Sequence, residues 1–149
     1  KAEYERLAEY LRDHLETNFF HFNVDLAQGP CVIKRLRGCG AGCEYVAITP
    51  EGEIYPCHQF VGNEDYKLGS LYDGTFDQEL SGRFAGLNIY TREECRDCWA
   101  RFYCSGGCSA SNLLVNGDIK KPHRVGCELE RKRLECAIAL RAIAAGMAE

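Results

Sequence analysis

Residues 95–108 read CRDCWARFYCSGGC, which places four cysteines in fourteen positions together with Trp99, Phe102, Tyr103 and a Gly106-Gly107 pair. The spacing C-x2-C-x5-C-x3-C, followed by Cys127 after eighteen intervening residues, is denser than helical or strand periodicity places buried thiols. It reads as a ligand array. Zinc takes four thiolates tetrahedrally, usually from two separated C-x2-C pairs, and only Cys95 and Cys98 form such a pair here. An iron–sulfur cube takes one thiolate per iron and suits a wrapping loop of mixed short spacings with a remote fourth ligand. The array therefore favours the cube. Gly106 and Gly107 allow backbone N–H groups to approach the sulfurs, and the aromatic residues either exclude water from the site or simply fill the core.

The rest of the chain supports a metal reading. Its 149 residues contain ten cysteines, 46% apolar residues and a net charge of −4. Disulfide frameworks of that density belong to short secreted chains, whereas this one is long, helix-forming and opens on KAEYERLAEY, which has no apolar core for secretion. The implied setting is cytoplasmic. No basic field suited to a phosphate backbone is present, so nucleic acid is not expected as a partner. The longest apolar run, AIALRAIAAGMA, is interrupted by Arg141 and is shorter than the roughly 20 residues that span a bilayer, so no membrane segment is expected. No GxGxxG or P-loop phosphate cradle occurs. The chain starts at Lys1, the mark of a processed chain or of a piece of a longer one.

The spacing of Tyr4, Leu7, Leu11 and Leu15 predicts an amphipathic helix over 3–17. FFHFNVDL (19–26) reads as a strand. EYVAITPEGEIYPC (44–57) reads as a hairpin turning at Pro50-Glu51-Gly52 and delivering Cys57 at its end. The polar, glycine-containing stretch 62–94 carries a short helix near 75–84, and 127–145 is helical, its charges forming a solvated face. The fold class is α+β, with no internal repeat.

These residues resemble a family. Cys39, twelve residues, Gly52, four residues and Cys57, then the dense array, then Cys127 is similar to the seven-cysteine SPASM pattern, C-x(9 to 15)-G-x4-C, gap, C-x2-C-x5-C-x3-C, gap, C. SPASM domains are the C-terminal auxiliary-cluster domains of radical S-adenosylmethionine (SAM) enzymes that modify peptides and proteins, and they typically hold two 4Fe-4S clusters. GPCVIKRLRGCGAG, EGEIYPCHQFVGNED and CWARFYCSGGC further resemble the maturases of SCIFF peptides, which form thioether crosslinks from cysteine. The resemblance implies a SPASM domain over 29–149 with a hairpin, cluster-binding loops and flanking helices. Residues 1–28, a helix and a strand, would be the end of a radical SAM barrel or a bridging region.

The resemblance also implies ligand sets. Cys95, Cys98, Cys104 and Cys127 hold one cluster, while Cys108 crosses over to join Cys39 and Cys57 at the other. The fourth position of that first cluster falls to Cys43, to Cys31, or to a substrate thiolate on an open iron. Cys136, nine residues beyond Cys127, reads as a buried apolar residue. His58 beside Cys57 reads as a hydrogen-bonded neighbour of a cluster, and His14, His21 and His123 share no ligand spacing. No residue of the chain is assigned a catalytic role. The SAM-cleaving C-x3-C-x2-C triad is missing: Cys104 and Cys108 are followed by Ser111. A radical initiator, and with it SAM, would belong to a preceding domain of the same enzyme, and this fragment alone would be inactive. In the intact enzyme a 5'-deoxyadenosyl radical would take a hydrogen from the acceptor residue of a cysteine-rich precursor peptide while an auxiliary cluster holds the thiolate and accepts the surplus electron. Two other readings of the array are a stand-alone ferredoxin-like electron carrier and a zinc-stapled structural domain.

Overall fold

A computed structural model describes residues 1–26 and 32–146. Two compact units emerge, residues 1–31 with 123–149 and residues 32–122. Among the described residues there are six α-helices and one four-stranded antiparallel sheet, an α+β fold.

The terminal unit pairs helix α1 (Ala2–Arg12) with helix α6 (Arg124–Ala144). Leu11 on α1 and Leu134, Cys136 and Ala137 on α6 are buried, and the Cys136 thiol donates to the Tyr4 carbonyl at 3.6 Å. Charges stay on the rim, where Lys132 bridges Glu5 at 2.9 Å and Glu135 at 2.7 Å. Helix α1 stops at Arg12 rather than reaching residue 17. Asp13 and His14 are weak helix formers, and the Asp13 amide closes the last turn on Leu11 and Tyr10. The strand expected at 19–26 is instead a 3-10 turn at Phe20–Phe22. No partner strand lies in this unit among the described residues, so the amides are satisfied locally, Phe22 by Phe19 at 2.9 Å and Asn23 by Phe20 at 3.1 Å. The aromatic run packs on itself, with Phe19 and Phe22 edge to face at 5.0 Å, which is the clustering that gave it a strand-like composition.

The central unit is built on a meander. Helix α2 (Val32–Arg37) leads into a glycine-rich loop, after which strands β1 (Ala47–Ile48) and β2 (Glu53–Tyr55) form the expected hairpin in the register Ala47 to Tyr55 and Ile48 to Ile54. Gly52, at φ +78°, closes the turn by donating to Thr49 at 2.9 Å. The sheet continues through β3 (Gly69–Ser70) and β4 (Thr75–Phe76), a second hairpin in the stretch read from sequence only as polar and glycine-containing. Two-residue strands leave no periodicity to read. Helix α3 (Gln78–Ala85) then starts at an Asp77 cap, whose Oδ1 accepts from the Leu80 amide at 2.8 Å. Helices α4 (Arg101–Cys104) and α5 (Ser109–Asn116) complete the unit. Ile54, Tyr55, Phe60, Leu68, Leu80 and Phe84 form its core, in which Phe60 packs against Phe84 edge to face at 5.4 Å and against Tyr66 at 5.0 Å.

Phe60 is 1% exposed and Leu114 is 87% exposed, so the two positions should separate packing from surface chemistry. Phe60→Ala should cost about 3–5 kcal/mol through lost burial and an unfilled cavity, whereas Leu114→Ala should stay within about 0.5 kcal/mol. Anaerobic thermal and chemical denaturation of the chain measures both.

Candidate metal centre

The first group of cysteines is assembled by the loop between α2 and β1. The Gly42 amide donates to the Tyr45 carbonyl at 2.9 Å and also to the Pro56 carbonyl at 3.0 Å, which ties the loop carrying Cys39 and Cys43 to the end of β2, immediately before Cys57. From the other side Ser81 Oγ on α3 donates to the Gly42 carbonyl at 2.7 Å. Cys57 is buried, and its carbonyl starts the 3-10 turn His58–Phe60 by accepting from Phe60 at 3.0 Å. Cys39 and Cys43 are exposed, and the Cys43 thiol donates to the Gly40 carbonyl at 3.4 Å.

One phenol marks where these thiols meet. The Tyr45 hydroxyl donates to Cys39 Sγ at 3.9 Å. Its pKa is pushed up to about 12, first by burial and then by the neighbouring sulfurs of Cys39, Cys57 and Cys108. Three of the cysteines assigned by resemblance to the first cluster thus share the surroundings of a single side chain. Cys43 is also within electrostatic reach of Cys39, and burial chiefly, then Glu44, pushes its thiol pKa up.

The dense array follows a chain of short turns. Cys95 closes the 3-10 turn Glu93–Cys95, its carbonyl accepts from the Cys98 amide at 3.2 Å, and the Cys98 carbonyl accepts from Arg101 at 3.1 Å, opening α4. Cys104 ends α4. Ser105, Gly106 and Gly107 then take three successive positive φ values, +58°, +87° and +72°, and turn the chain back so that Cys108 stands at the start of α5. A Cβ at Gly106 would lie 2.9 Å from Arg92 Nη1. Glycine there makes room for a guanidinium.

Arg92 is the polar residue that the sequence reading missed. It is 3% exposed, Nη1 donates to the Gly106 carbonyl, and Nη2 donates to Ser109 Oγ at 3.0 Å. Its Nε is buried without a hydrogen-bond partner among the described residues. Burial chiefly lowers the guanidinium pKa, and the sulfurs of Cys95, Cys104, Cys108 and Cys39, in decreasing order, oppose that shift. Arg92 is therefore within electrostatic reach of cysteines from both groups. Asn112 on α5, also buried, donates through Nδ2 to the carbonyls of Gly106 at 3.4 Å and Ile119 at 3.5 Å. A polar residue three positions before Cys95 was the available signal for Arg92, but its burial is a tertiary property.

The remaining positions are plainer. Cys98 and Cys104 are partly buried, and Cys127 lies in the first turn of α6, in the terminal unit. Cys31 lies outside the described residues. His58 is exposed, and Trp99, at 48% exposure, does not seal the array. The Arg35 guanidinium stacks over Tyr103 at 5.3 Å, packing α2 on α4. No disulfide joins any two of the described cysteines.

The donor chemistry fits an iron–sulfur cluster. Among the described residues no three His, Cys, Asp or Glu side chains are grouped as the ligands of a single ion. A cube attaches one thiolate to each iron and so accepts ligands that are set apart. The orphaned Arg92 N–H and the cationic charge beside the sulfurs suit an anionic occupant.

Comparison with known proteins agrees with this chemistry. Residues 39–99 match the family described as SPASM, an iron–sulfur cluster-binding domain. The chain is 32% identical over 98 residues to an uncharacterized protein of Archaeoglobus fulgidus, covering 63% of this chain and 23% of that protein. It is 26% identical over 123 residues to the PqqA peptide cyclase of Methylorubrum extorquens strain PA1, covering 76% and 30% respectively. It is 28% identical over 85 residues to the serine-type anaerobic sulfatase-maturating enzyme of Klebsiella aerogenes, covering 55% and 20%. The matched region spans less than a third of each relative's own length. The segment that matches the SPASM iron–sulfur cluster-binding family therefore holds the Cys39 loop, the hairpin and the first two cysteines of the array.

Proposed function

We propose that the chain is the auxiliary-cluster part of a radical SAM maturase that acts on a peptide or protein, and that it holds two 4Fe-4S clusters. The observation that carries this reading is the match of residues 39–99 to the SPASM family, within which the Gly42 amide ties the loop carrying Cys39 and Cys43 to the residue before Cys57 and Tyr45 donates to Cys39. In this reading Cys39, Cys43, Cys57 and Cys108 hold the first cluster, and Cys95, Cys98, Cys104 and Cys127 hold the second. Residues 1–28 are the end of a catalytic barrel whose SAM-cleaving triad lies outside this sequence. The partners are that N-terminal domain and a cysteine-rich precursor of SCIFF type, the product is a thioether, and the setting is cytoplasmic. The names of the Methylorubrum and Klebsiella relatives, a peptide cyclase and a sulfatase-maturating enzyme, favour a peptide or protein substrate.

When bound, such clusters supply thiolate binding and an electron sink. The protein's residues do the rest. The Gly42 clamp ties the loop carrying Cys39 to the residue before Cys57, and the Tyr45 hydroxyl donates to Cys39 sulfur. The exposed Cys43 is the ligand that a substrate thiolate can replace with least disturbance of the core, because its side chain bonds to the loop backbone at Gly40 and Glu44. Among the described residues no helix is long and apolar enough to cross a membrane.

Three measurements test the reading. Anaerobic reconstitution should load about eight irons and eight sulfides, as two cubes require, with broad visible absorption. A colourless protein that retains only zinc would sink it. Cys95→Ala or Cys98→Ala should lose about half of the iron and melt at lower temperature, because occupancy and folding are coupled, while Cys43→Ala should retain more of both. Equal losses in all three would make Cys43 an ordinary fourth ligand. Finally, the enzyme containing this domain, given a cysteine-rich precursor and SAM, should yield a peptide lighter by two hydrogens whose crosslink survives reducing agents. A product that reverts on reduction would be a disulfide and would exclude thioether formation.

A further inference from the structure

Arg92 has more donors than the protein uses. Its two terminal nitrogens are tethered to Gly106, in the turn between Cys104 and Cys108, and to Ser109, next to Cys108, so the guanidinium is fixed by the same segment that carries these cysteines. Nε remains buried and unpartnered among the described residues. A guanidinium does not shed its proton to escape such a site, and a buried donor without an acceptor is costly. The cost is removed if an anionic acceptor occupies the space beside it. The Cys95 amide donates to the Arg92 carbonyl at 3.0 Å, and the guanidinium grips Gly106 two residues after Cys104, so Arg92 is tied both to the turn that ends at Cys95 and to the turn that leaves Cys104. Glycine at 106 keeps that space open to the guanidinium.

We infer that Arg92 is a positioning residue that sets the reduction potential of the cluster held by Cys95 and Cys104, its Nε–H donating to a sulfur of that cluster. The inference rests on the cluster assignment proposed above. Donation to a cluster sulfur and a nearby positive charge both favour the reduced, more negative state, so they raise the potential. Arg92 thereby biases which of the two clusters is reduced first.

The test is an anaerobic redox titration of the reconstituted chain, followed by electron paramagnetic resonance, on the wild type, Arg92→Gln and Arg92→Lys. The signal belonging to the Cys95 cluster is the one that Cys95→Ala removes. Arg92→Gln should keep its iron and shift that signal to a more negative potential by at least tenfold in the reduction equilibrium, about 59 mV for one electron, with a smaller change in the other signal. Arg92→Lys, which keeps the charge without the fork, should fall between. Full iron with unmoved potentials in Arg92→Gln overturns the inference. If Arg92→Gln loses iron, Arg92→Lys decides: recovered iron with a negatively shifted signal supports the role, whereas wild-type potentials or equal iron loss make Arg92 purely structural. A wild-type chain with no iron–sulfur signal would overturn the cluster assignment and the inference with it, an outcome distinguishable from the others.

Discussion

One backbone amide decides whether the first group of cysteines exists. Gly42 N–H is shared between the Tyr45 and Pro56 carbonyls, and through it a loop in the middle of the chain is locked to the end of a β-strand. Pro56 is fully buried, so its carbonyl has no water to fall back on. Losing the donor would leave a buried acceptor unsatisfied, at about 1–3 kcal/mol. The sheet and α3 follow from this arrangement. Ser81 holds the other side of Gly42, and the hydrophobic packing of Phe84, Phe60 and Leu80 lies directly beneath. The core fixes the backbone, and the backbone carries the thiols.

Charge imposes the second constraint. Several thiolates in one region repel one another, and the protein answers with a single buried cation rather than with surface lysines. Arg92 suits this use because its fork reaches two acceptors at once while its charge persists through burial. Tyr45 offers the other group of sulfurs a neutral donor. The two cysteine groups are therefore served by different chemistry, a phenol at one and a guanidinium at the other, although both draw on Cys108.

What could be read from the residues was local. EYVAITPEGEIYPC foretold a hairpin turning at Pro50-Glu51-Gly52, and Ala47–Ile48 with Glu53–Tyr55 provide it. Gly106 and Gly107 stood out as backbone with freedom, and with Ser105 they make a turn of three positive φ values. Reading failed where the signal was tertiary. FFHFNVDL has the composition of a strand, but with no strand beside it the run folds into a 3-10 turn. Strands β3 and β4 are too short to show alternation, and Arg92 looked like any surface charge until the fold buried it.

The turn between Cys104 and Cys108 has a consequence for binding. Two glycines in succession are a poor choice for order, since glycine has the most conformational freedom to lose on folding. Yet the Gly106 carbonyl is gripped twice, by Arg92 and by Asn112, both of them buried. Those grips fix the bend between Cys104 and Cys108 through protein contacts alone. Preorganisation of this kind spares a binding step the entropy of ordering a loop.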